Sequence, residues 1–150
     1  MSFGSILHNQ VLIAALIAWM MAQSIKLPID YIKNREWNWA LLFSAGGMPS
    51  SHSALVVSVA LATGLFQGFD SPVFALAVAI AMIVTYDASG VRREAGIHAQ
   101  KINMLIRDVF EGQPITEDSL KEVLGHTRLE VLAGTLLGIG VSLTYWLIWR

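Results

Sequence analysis

A chain of 150 residues fits one domain, and its 55% hydrophobic and 14% charged composition favours a bilayer over water. A formal net charge of −1 gives no basic field to recruit nucleic acid. With no cysteine, the chain has no disulfide, thiolate nucleophile or thiolate metal site.

A membrane span needs about 20 mostly apolar residues, and four stretches qualify. The first runs from about Leu7 to Ile25 without an Asp, Glu, Lys or Arg. No positively charged segment precedes it and no cleavage signal follows, so it reads as mature structure. The second runs from about Ser53 to Phe69, and only Asp70, Ser71 and Pro72 separate it from the third, about Val73 to Tyr86. That helix-breaking turn predicts an antiparallel hairpin. The fourth runs from about Leu129 to Trp149, with Tyr145, Trp146 and Trp149 as interfacial anchors.

Two further segments are not ordinary spans. Trp37 to Ala45 is apolar but short, and reads as an interfacial or re-entrant piece, or as a span in another register. Between the third and fourth spans, Val91, Ala95, His98, Ile102, Leu105, Ile106, Val109 and Phe110 recur at helical spacing, predicting an amphipathic helix. A short helix capped by Thr116 is expected to follow, reaching Leu124. The expected fold is therefore all-α: a multi-pass membrane helical bundle of four spans, a short interfacial or re-entrant helix and an amphipathic loop helix.

Counting crossings places the end of span one, the start of two, the end of three and the start of four at one face. Nine of the ten Lys and Arg residues fall there, with His52, His98 and His126. Positive charge in short loops favours the cytoplasmic side, so this face is expected to be cytoplasmic.

Three clusters at that face carry candidate chemistry. In Gly46-Gly47-Met48-Pro49-Ser50-Ser51-His52-Ser53, Pro49 and Ser50 are explained by helix capping, but His52 is not. A helix N-terminus with Ser50 and Ser51 suits a phosphate, and His52 can protonate a leaving oxygen. In Gly125-His126-Thr127-Arg128-Leu129-Glu130, Thr127 and Glu130 fit a capping box. Glu130 also lies four residues after His126, placed to fix its tautomer and leave the other ring nitrogen as nucleophile or base. In Tyr86-Asp87-Ala88-Ser89-Gly90-Val91-Arg92-Arg93, the arginines suit either headgroups or phosphate oxygens, with Asp87 steering one of them. Lys26 and Arg35 are further phosphate candidates, whereas Lys33 reads as a topology signal.

These motifs resemble the type 2 phosphatidic acid phosphatase and vanadium haloperoxidase superfamily. Pro49-Ser50-Ser51-His52-Ser53 is similar to its Pro-Ser-Gly-His motif. Gly125-His126, with Glu130-Val131-Leu132-Ala133-Gly134, is similar to its last motif. With Tyr86 to Arg93, they resemble the divergent bacterial and plastid branch, over about Lys26 to Gly138. The resemblance implies His126 as a nucleophile forming phosphohistidine, Glu130 as its orienting carboxylate, and His52 as acid and then base. It implies Ser50 and Ser51 as phosphate contacts, no cofactor and no metal, and a lipid phosphate substrate in a bacterial plasma or plastid membrane. This chain departs from the pattern at several points. Ser51 stands for Gly, Glu130 for Asp, and Leu120 for an Arg; the Lys-(six residues)-Arg-Pro motif is absent, and six spans become four. Arg92, Arg93, Lys26 and Arg35 are the charges left to replace that clamp.

Two rival functions remain at this point: lipid-phosphate binding or transport without turnover, and metal-dependent hydrolysis using Asp87, Glu130 and histidines. Gly64, Gly68, Gly134, Gly138 and Gly140 offer close-packing surfaces, from which a homo-oligomer, a dimer in the simplest case, is expected; packing within one chain is the alternative use for them.

Overall fold

The structure is a computed structural model and describes residues 3–42, 46–109 and 126–150. Five helices follow one another: α1 (Gln10–Asn34), α2 (Ser51–Gln67), α3 (Pro72–Ser89), α4 (Val91–Val109) and α5 (Arg128–Trp149). Short 3₁₀ turns occupy Phe3–His8 and Trp39–Leu42, and no strand occurs among the described residues. Helices α1, α3 and α5 are long and apolar enough to cross a membrane. The expected helix from Thr116 to Leu124 lies outside the described residues, as does Phe110.

Local chemistry sets the helix ends. Asn9 caps α1, its side chain accepting from the Leu12 N–H at 3.1 Å. Ser71 caps α3 by accepting from Phe74 N–H at 3.2 Å, with Pro72 in the first turn. The turn between α2 and α3 needs Gly68 at φ 98° and is tied by the Ser71 hydroxyl donating to the Gly68 carbonyl. The hairpin is thus as expected. Helix α1 is not: it runs nine residues past Ile25, through Pro28, to Arg35 in the left-handed region at φ 60°. The apolar run stops at Lys26 because that residue points into the bundle, not because the helix ends. Beyond it, Tyr31, Trp37 and Trp39 stack at centroid distances of 4.7 and 6.0 Å.

Helix α2 is the hub, packed on α1, α3 and α5. It is also the shortest of the four, 17 residues or about 25 Å, against a hydrocarbon core of about 30 Å. The interior is made of small residues: Ala14, Ala18 and Ala22 of α1, Ala54 and Ala62 of α2, and Gly134 and Gly138 of α5. Large side chains such as Leu76, Ile80, Ile83, Leu132, Leu136 and Ile148 are exposed. That inversion suits helices packed by close backbone approach with large apolar groups turned toward lipid.

The closest approach joins α2 and α5, which run parallel in register. A Cβ on Gly134 would collide with the Ser50 carbonyl, and one on Gly138 would lie 2.6 Å from the Ala54 carbonyl oxygen. One turn on, the buried hydroxyls of Ser58 and Ser142 are 2.8 Å apart, and Ser142 donates to the Ser58 carbonyl at 3.2 Å. These pairs advance together by four residues. Gly64 is likewise used inside the chain, covered by Phe69 and Phe74. Of the glycines expected to serve an oligomer, only Gly140 has open space before it.

Gly138→Val should therefore lower stability by about 1–3 kcal/mol through overpacking, whereas Gly140→Ala, with open space before it and a better helix former, should hold or raise it. Thermal unfolding of both variants in one detergent measures this.

Candidate functional site

The site is built where α2 and α5 begin. Ser50 caps α2: its hydroxyl accepts from Ser53 N–H at 3.3 Å and from the Ser53 hydroxyl at 3.0 Å. Its own N–H donates to the Glu130 carbonyl at 2.9 Å, which fastens the start of α2 to the first turn of α5. The approach to this cap uses Gly47 at φ 89° and a cis Met48–Pro49 bond. Ser50 is fully buried, and its hydroxyl is engaged in capping α2.

Across the seam, Thr127 caps α5 with a complete capping box. Its side chain accepts from Glu130 N–H at 3.3 Å, and Glu130 Oε2 accepts from Thr127 N–H at 3.0 Å. The same Oε2 lies 3.2 Å from His126 Nδ1. Both sequence readings of Glu130 therefore hold together: one carboxylate caps the helix and engages the imidazole. His126 is 5% exposed, so its ring orientation is fixed by burial as well as by this contact. With Nδ1 protonated and donating to Glu130, the ring lone pair is on Nε2.

His52, in the first turn of α2, is exposed, and its ring centroid is 6.2 Å from that of His126, with planes 57° apart. One histidine thus comes from each helix start, one buried and one accessible. Between the two clusters sits Lys26. It continues the four-residue stripe Ala14, Ala18, Ala22, which packs α1 flat against its neighbours and turns the lysine inward. Lys26 is 1% exposed, its Nζ is 3.5 Å from Ser51 Oγ, and the Glu130 carboxylate attracts its charge. Ser51, itself 2% exposed, is the serine that faces the lysine.

The remaining candidates divide. Asp87, half-buried near the end of α3, lines a cavity with Val131 of α5, so it lies at the same end of the bundle. Arg92 and Arg93 begin α4 just beyond it, and their side chains lie outside what is described. Arg35 is not brought to the site: it is exposed at the α1 C-cap, nine residues or about 13 Å along the axis from Lys26. Its αL geometry makes it part of a helix stop. No group of three His, Cys, Asp or Glu residues converges for a metal among the described residues.

The burial of Lys26 is legible in the Ala14-Ala18-Ala22-Lys26 spacing, which puts it on the packed stripe of α1. The Ser50 N–H to Glu130 carbonyl bond left no trace in residue types. The Gln23 amide donating to the Leu42 carbonyl at 2.8 Å, which ties the 3₁₀ turn to α1, was also missed.

A family model described as the divergent PAP2 family matches residues 7–141, a span that holds every residue of this site. The uncharacterized membrane protein YuiD of Bacillus subtilis (strain 168) is 42% identical over 149 residues, covering 92% of this chain and 94% of that protein. No solved structure matches the chain.

Glu130→Ala should destabilise the protein by about 1 kcal/mol more than Glu130→Gln, because the amide oxygen can still accept from Thr127 N–H. Comparative thermal unfolding of the two variants reads this.

Proposed function

This chain belongs to the divergent PAP2 family, and on that premise we propose that it is a membrane-embedded phosphatase that hydrolyses a lipid phosphate through a phosphohistidine. The observation that carries the reading is the buried His126–Glu130 pair with His52 facing it from a second helix start. The lipid phosphate enters with its phosphorus before His126 Nε2. That nitrogen attacks, the bond to the lipid oxygen breaks, and His52, entering protonated, delivers its proton to the leaving alkoxide. Neutral His52 then takes a proton from water. The resulting hydroxide displaces His126, and inorganic phosphate leaves.

Charge on the equatorial oxygens needs positive partners. Lys26 is the cation held at the head of both helices, and the α2 N-terminus adds its dipole. Burying an ammonium is expensive, and intramembrane charges are functional candidates for that reason. Lys26 therefore takes the place of the family clamp that Leu120 lacks.

His126→Ala and His52→Ala should each lower phosphate release by at least about a thousandfold while the protein stays folded in detergent. Vanadate, which copies the trigonal-bipyramidal transition state, should inhibit, and EDTA should not. Phosphate release that persists in His126→Ala contradicts the nucleophile. Release lost with EDTA and restored by a divalent cation supports the metal rival, and vanadate binding without any release supports a binding protein.

The site is proposed to face the cytoplasm of a bacterial cell, from the charge bias of its loops. The chain has no cysteine, so His98→Cys and Asp70→Cys, both at exposed positions, report on the two faces without background. An impermeant maleimide on intact cells should label position 70 and spare position 98; the reverse pattern contradicts the orientation.

A further inference from the structure

Hydropathy alone ends the first span at Lys26, but α1 continues beyond it, and its composition places the membrane boundary further on. Between residues 11 and 29 the only polar side chains are Gln23, Ser24 and Lys26. That stretch is about 28 Å long as a helix, against a hydrocarbon core of about 30 Å. Polar residues gather outside it, His8 and Gln10 at one end and Asp30, Lys33 and Arg35 at the other.

Aromatic rings mark the same two levels. At one, the Tyr145 hydroxyl donates to Gln10 Oε1 at 2.6 Å, and Trp149 stacks on Tyr145. At the other, Tyr31, Trp37 and Trp39 form a ladder of three stacked rings, with planes 23° and 19° apart and both tryptophans more than half exposed. Gln10 and Tyr31 are 21 residues apart on one helix, or about 31 Å. Tyrosine and tryptophan suit a lipid interface because each joins an apolar ring to a polar tip.

Two neighbouring elements fit this frame. Helix α2, about 25 Å long, is short for a span. Its Ser51 is level with Lys26, and its Phe66 meets Tyr145 at the far boundary, so it begins inside one boundary and ends at the other. The chain leaving α1 at Arg35 also comes back along that helix. The Leu42 carbonyl accepts from Gln23 Nε2 at 2.8 Å, eight residues or about 12 Å deeper than Tyr31. Backbone that re-enters a hydrocarbon layer needs such a partner, because no water is there to supply one.

We propose that the Tyr31–Trp37–Trp39 ladder docks at the headgroup boundary of the bilayer, so that Lys26 and the start of α2 lie about 8 Å inside it. The partner is the lipid interface itself, and the placement holds whether or not the site turns phosphate over. An anion that reaches the site leaves the headgroup plane, and Lys26 is a cation held at that depth to meet it.

The test uses the full chain in nanodiscs of dioleoyl phosphatidylcholine. The chain has no cysteine, so Met20→Cys, Ser24→Cys and Ile32→Cys each carry one nitroxide, at exposed positions of α1. Relaxation by oxygen, which concentrates in hydrocarbon, and by a neutral nickel chelate, which stays in water, reads the depth of each label. Ile32 should report the boundary and Ser24 a level about 10 Å inside it, with oxygen dominating at Ser24 as at Met20. Nickel access at Ser24 equal to that at Ile32 puts the boundary at Lys26 and overturns the proposal. Trp37→Ala combined with Trp39→Ala should bring Ser24 closer to water; an unchanged depth overturns the ladder as the anchor. If that double variant does not fold, the three depths with the ladder intact decide alone. Loss of both oxygen and nickel access at Ile32, with broadening between labels, puts a second copy on the ladder in place of lipid and overturns the proposal as well. None of these readings uses phosphate release, so their failure is separate from failure of the phosphatase reading.

Discussion

The seam between α2 and α5 is the constraint on which the site depends. Two parallel helices are held in register, matched at Ser50 with Gly134, Ala54 with Gly138 and Ser58 with Ser142. Only glycine at 134 and 138 permits that approach, since a Cβ at either would meet a carbonyl oxygen. The Ser50 N–H to Glu130 carbonyl bond then fixes one start against the other. His52 and His126 face each other because the seam aligns the residues that carry them.

Lys26 is the second consequence. A lysine 1% exposed within an apolar bundle loses its hydration, and the Ser51 hydroxyl and Glu130 carboxylate compensate in part. A methionine of similar length would pack there without that cost. An added anion would complete the compensation, and in the proposed reaction that anion is the phosphate of the substrate.

Much of this was legible in the sequence. Apolar run lengths gave the spans and the Asp70-Ser71-Pro72 turn gave the hairpin, because hydropathy and proline sterics act locally. His52, His126 and Glu130 stood out because a capping residue explains its neighbours but not an imidazole at a membrane helix start. What stayed hidden depended on helix-to-helix geometry. The end of α1 was placed nine residues short because a lysine stops an apolar run whether it faces solvent or core. The burial of Ser50 comes from α5, distant in sequence, so no local pattern shows it. Gly134 and Gly138 have the same spacing whether they pack on another chain or on α2, and only their register with Ser50 and Ala54 separates the two.

The central claim is that the seam presents His126 to phosphorus as a nucleophile, and the covalent intermediate tests it most directly. Wild-type protein turning over a lipid phosphate, quenched within milliseconds into alkali and digested, should yield a peptide phosphorylated at His126 in amounts that approach one per active chain. Steady phosphate release with no phosphorylated peptide, or with the phosphate on another residue, contradicts the account.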